Sequence, residues 1–96
     1  MMRIENKKEN RVAQTMSNWV YMKCIDPPKN KQRFYMLQIQ PDLWGGVSLV
    51  REYGRLGQPG RVLSRWFNAE ADALNYLGQL QVQKLKRGYE NVVNAS

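Results

Sequence analysis

Arg51, Tyr53 and Arg55 are the residues whose types and spacing suggest chemistry. Two apart in a regular strand, they emerge on one face with about 7 Å between neighbours. Arginine meets phosphate oxygens in a forked, two-bond geometry. A ring held between two cations can stack on a base or lie against a sugar. The chemistry on offer is the gripping of a polyanionic strand or its end. Val47 and Leu49 share the same parity, so this face starts apolar and turns charged. Either the strand runs out of the core as it proceeds, or a bulge near Gly54 shifts the alternation. A half-buried strand tyrosine flanked by solvated arginines fits the same spacing.

Catalytic constellations are missing. The chain has no histidine and one cysteine, which removes the usual general base, the usual zinc ligands and every Ser-His or Cys-His pair. It has no Walker-type phosphate loop and no GxGxxG. Glu70 and Asp72, two apart on a helix, point in different directions, and Asp26, Asp42 and Glu52 are scattered over separate elements. No enzyme activity, cofactor or metal site is expected. Cys24 sits in an apolar stretch and reads as a buried small hydrophobe. Without a possible intrachain disulfide, a reducing, cytoplasmic setting fits.

The 15 Lys and Arg exceed the 8 Asp and Glu, for a net charge of +7 spread along all 96 residues. Such a field favours nucleic acid or an anionic membrane surface; the blander reading is a soluble basic protein with no polyanion partner. No apolar run approaches the ~18 residues of a membrane span, and no apolar stretch follows the first basic residues as in a secretory signal.

The elements that must position these residues follow from the punctuation. Residues 1–16 are polar and aperiodic, and read as a loose tail. Residues 17–26 are aromatic and β-branched, as a strand should be, and Pro27-Pro28-Lys29-Asn30-Lys31 ends them. Residues 32–40 form a second strand with Tyr35, Leu37 and Ile39 on one face. Pro41-Asp42 and Gly45-Gly46 mark a turn, 47–55 a third strand, Gly57 to Gly60 a tight connection, and 61–67 a fourth strand. Short turns imply sequential antiparallel pairing. Helical spacing then takes over: Ala73, Leu74, Leu77 and Leu80 follow Asn68 as N-cap, and Gly88 is the C′ residue of a helix over about 69–87. Lys84, Lys86 and Arg87 read first as helix-end charges and second as a phosphate-contacting patch. The fold class is α+β: a small antiparallel sheet of about four strands with one C-terminal helix across one face, spanning 17–90, followed by a short tail over 91–96. Trp19 and Trp66 are expected in the core. Trp44, in the turn, is expected to be the more exposed of the three and to staple that turn.

In order, Arg33-Phe-Tyr, then Gly45-Gly46-Val-Ser-Leu-Val-Arg-Glu-Tyr53-Gly54-Arg55-Leu56-Gly57, then Pro59-Gly60 and a helix ending Lys84-Leu-Lys-Arg-Gly-Tyr89 resemble a WGR domain. Tyr53 stands where the family's tryptophan stands, and Arg61 where many members have glutamine. The resemblance implies one helix packed across a small sheet. It also implies DNA binding at breaks, as in the WGR domains of DNA-dependent poly(ADP-ribose) polymerases, where the motif ring packs on a terminal sugar and the motif arginine contacts DNA. The chain is similar to short bacterial WGR proteins. Carried over, Tyr53, Gly54 and Arg55 form the motif, with Arg51, Arg61, Lys84 and Arg87 as further nucleic-acid-binding candidates. The expected partner is nucleic acid, double-stranded DNA above all; a protein-interaction adaptor is the alternative.

Overall fold

The computed structural model of the chain describes residues 18–92; the polar segment 1–16 lies outside them. Alternating apolar residues build β1 (Trp19–Asp26) and β2 (Lys31–Pro41), which pair antiparallel from Trp19 across from Gln38 to Asp26 across from Lys31. Pro27–Lys29 forms a single 3-10 turn between them, closed by Asn30 at a left-handed φ of 53°, which Asn tolerates better than most side chains. β3 (Val47–Arg55) pairs with β2 without a break, from Pro41 across from Val47 to Arg33 across from Arg55. Gly54 therefore makes no bulge. The face of β3 turns from apolar to charged because the strand leaves the core.

β4 (Arg61–Phe67) pairs on the outer side of β3. A short fifth strand, β5 (Glu90–Asn91), pairs with the other edge through Met22 and Lys23. The sheet order is β4-β3-β2-β1-β5, an antiparallel α+β fold as expected, with one strand more than the four expected. Two residues are too few to show a period, so β5 left no pattern to read.

One helix, α1 (Glu70–Lys86), covers one face. Its stripe of Ala73, Leu77 and Leu80 is buried in one cluster with Met22, Tyr35, Leu37 and Leu49. Each fully buried aliphatic side chain there contributes about 1.5–3 kcal/mol. The start of the helix differs from expectation. The capping position is Ala69, with no side-chain cap, so Asn68 does not cap. Glu70 and Asp72 supply the favourable charge in the first turn. The C-terminus ends as expected. Gly88, at a φ of 95°, donates its N–H to the Leu85 carbonyl (3.1 Å), and the Tyr89 N–H donates to the Lys84 carbonyl (3.0 Å), the paired bonds of a Schellman turn. This turn folds Tyr89 back into the core, its ring edge-on to Tyr35 at 6.2 Å.

Directly opposed residues of an antiparallel pair share a face, and the register assigns the tryptophans. Val20, Met22 and Cys24 face the helix, whereas Trp19, Tyr21, Phe34, Met36 and Trp66 lie on the opposite face. Trp19 and Trp66 are 44% and 52% exposed, which corrects their expected place in the core. Both rows of β1 are apolar, and only the seat of the helix decides which row is covered. Trp44 is the most exposed of the three, at 91%, and does not staple the turn. Asp42 braces it instead, accepting from the Trp44 N–H (2.9 Å) and the Ser48 hydroxyl (3.1 Å), while the Trp66 indole N–H donates to the Gly45 carbonyl (2.9 Å).

That brace makes Gly46 a sensitive position. At a φ of 74°, an added Cβ would run into the Phe67 carbonyl oxygen and come within 2.8 Å of the Trp66 ring. Gly57, at a φ of 82°, has open space around it. Gly57→Ala is expected to cost about 1 kcal/mol of backbone strain. Gly46→Ala should cost about 2–4 kcal/mol, because overpacking is added to that strain. Urea denaturation checks this; equal losses for the two would disprove the close approach.

Candidate nucleic-acid interface

The last turns of α1 overhang β2 and β3. Tyr35 of β2, Arg51 and Tyr53 of β3, and Leu80, Gln83, Lys84 and Arg87 of the helix end line a cleft of about 210 Å³. Ligand pockets for drug-sized molecules start at about 300 Å³, so this one suits a smaller group such as a phosphate with its sugar. Four of the candidates from the sequence, Arg51, Tyr53, Lys84 and Arg87, meet there. Strand parity delivers the first two and the helix end the other two.

Tyr35 organises the floor. It is fully buried, and its ring lies tilted against Tyr53 with centroids 5.8 Å apart. Its hydroxyl accepts a long bond from Arg51 Nη1 at 3.4 Å. Burial pushes the Tyr35 hydroxyl above its ordinary pKa, the arginine opposing that shift, while the bond to Tyr35 raises Arg51 further. Lys84 Nζ stands 4.6 Å from the Tyr35 ring centroid and 5.2 Å from that of Tyr89. Both contacts are cation–π in kind, and the Schellman turn sets Tyr89 against the turn that carries Lys84. Burial depresses the Lys84 ammonium, and the nearby cations Arg87, Arg51 and Arg33 depress it further.

The remaining candidates lie outside the cleft. Arg61 is directly across from Tyr53, exposed, on the same face. Arg55 is turned to the β1–β2 turn, where Nη1 and Nη2 donate to the Asn30 carbonyl and side-chain oxygens, each at 3.3 Å. Gly54 presents no group to the cleft. It marks a close crossing, where an added Cβ would meet the Gly60 Cα at 3.2 Å.

Two arginines escaped the sequence reading. Arg33 opposes Arg55 and Arg65 opposes Leu49 on the helix-side face. Their parity with Tyr35 and Phe67 was the available signal. Arg65 is held over the rings of Phe67 (4.9 Å) and Tyr76 (4.7 Å). On this face β2, β3 and β4 carry Lys31, Arg33, Arg51, Arg55, Arg61 and Arg65, and no acidic residue. Like charges directly opposed, as Arg33 and Arg55 are, destabilise a sheet, and a bound polyanion would relieve that.

Lys84 offers a direct check. Its ammonium is expected to titrate below the other lysines in an NMR pH series. An anion in the cleft would offset the neighbouring cations and raise its pKa, so anion affinity should fall as pH rises through the Lys84 value, earlier than an ordinary lysine would allow. A Lys84 signal that titrates with the other lysines would refute its desolvation.

The WGR domain family model matches residues 18–96. A similar protein, the uncharacterized protein y4dW of Sinorhizobium fredii (strain NBRC 101917 / NGR234), is 39% identical over 70 residues. The match takes in 73% of this chain and 34% of that protein, so the chain spans about a third of the relative's length. No solved structure shows a significant match. With the five-stranded sheet, the helix across it and the Tyr53-Gly54-Arg55 segment in β3, the chain belongs to the WGR family.

Proposed function

We propose that the cleft binds nucleic acid, and that its target is duplex DNA at an end or nick. Arg51, Lys84 and Arg87 would take phosphate, and the Tyr53 ring would lie against the terminal sugar. Arg61 and Arg55 lie further along the same face and would extend the contact to neighbouring phosphates. The domain acts as a binding module with no reaction of its own.

One observation carries this reading. Cations from a strand and a helix end converge on two tyrosines, with no acidic residue among the described residues that line the cleft. Such a cluster is self-repelling unless an anion joins it. The partly exposed Tyr53 ring gives the site a flat surface for a sugar or base, which a merely solvated basic patch lacks. Family membership supports the same target. Tyr53 in place of tryptophan keeps the ring with less stacking area.

The test is binding of the whole chain to blunt, nicked and circular duplex and to single strands, titrated with salt. Arg51→Ala and Lys84→Ala are each expected to weaken binding about tenfold, the worth of one charge-assisted bond, and to lower the salt slope by about 1. Tyr53→Ala should weaken end binding more than internal binding. Equal, weak affinity for every DNA rejects end recognition. Unchanged affinity in both cation variants rejects the cleft.

A further inference from the structure

The face turned away from α1 differs from the basic face in kind. Trp19, Tyr21, Phe34, Met36, Val62 and Trp66 lie on it. Trp19 and Tyr21 are stacked at 6.2 Å, and Tyr21 lies 6.3 Å from Phe34. Trp19, Val62 and Trp66 are each more than two-fifths exposed. At one end the braced turn holds Leu43 and Trp44 out in water, 95% and 91% exposed. An apolar surface of this extent marks an interaction site. By register its charged residues, among the described residues, are Lys23, Glu52 and Glu90, a net charge of −1 on a chain of +7. A polyanion gains little there, and the same near-neutrality removes the repulsion that would otherwise keep copies of a basic protein apart.

We propose that this face docks on a second copy of the chain, sheet against sheet. Lys23 lies in β1 and Glu52 in β3, on either side of β2, in adjacent cross-strand rows. A two-fold axis running along β2 lays β1 of one copy over β3 of the other. With sheets about 10 Å apart and rows about 7 Å apart, each Lys23 then comes within side-chain reach of the other copy's Glu52. The face is thus complementary to itself in charge as well as apolar, as a two-fold interface requires. Four strands over about seven residues give roughly 450 Å² in plan, or about 900 Å² for two copies before the Leu43-Trp44 turn is added. That is near the lower bound for a specific interface, so the dimer is weak and reversible. Its two basic clefts face outward, on opposite sides.

The whole chain is expected to dimerise with a Kd on the order of 10–100 µM in sedimentation equilibrium. Lys23→Glu and Glu52→Lys each replace two attractive pairs by two repulsive ones, and each alone should weaken the dimer about tenfold. Mixing the two variants restores both pairs, so the mixture should dimerise at least as tightly as the unaltered chain. Circular dichroism of each variant separates lost dimer from lost fold. If Lys23→Glu does not fold, Lys23→Gln alone, which loses both pairs without adding repulsion, should weaken the dimer by a smaller factor. A monomer at about 1 mM overturns the proposal, whether another segment of the chain or a different protein covers the face. So does a dimer that neither charge reversal weakens.

Discussion

Among the described residues, a single helix has to cover a sheet larger than itself. The 17 residues of α1 make a cylinder about 25 Å long and 10 Å across. The five strands span about 24 Å side by side. The helix therefore seals less than half of one face, and the remaining surface has to be made acceptable to water in other ways. On the helix side, arginines take over where the leucine stripe ends. On the far side, aromatic and amide side chains lie open. Both surfaces derive from the same shortage of cover.

This constraint gives the cleft its character. It forms where the helix end projects over strand residues that are no longer apolar, so Arg51 and Lys84 sit beside the core and are partly desolvated. The Schellman turn after Arg87 fixes how far the helix projects and seats Tyr89 beneath it. Lys84 is consequently held between two rings with its charge uncompensated. A cation at the tip of a flexible side chain in water would be better hydrated and less ready to exchange that hydration for phosphate.

Most of the architecture was legible because local signals agreed. The Tyr35-Leu37-Ile39 alternation, the glycine and proline punctuation and the leucine spacing each mark one element, and the structure places β3 and β4 at the bounds read from them. What stayed hidden depended on distant parts of the chain. Trp19 and Val20 are both apolar, and only the helix, some fifty residues later, decides which of them is covered. Asn68 has the right chemistry for a cap but lies one position too early for the helix that forms. For the site, strand parity revealed Arg51 with Tyr53 but not the Arg33–Arg55 opposition, which needs the register. The role of Lys84 depends on the rings that tertiary packing brings to it.

The path of the chain has a modular consequence. β5 returns to the edge of β1, and the Val92 N–H donates to the Tyr21 carbonyl at 2.8 Å. The two ends of the described fold thus leave close together beside β1. A domain with adjoining ends can be spliced between two segments of a longer polypeptide without opening its sheet or separating its host. Its relative of about three times the aligned length shows that the unit occurs within a larger protein.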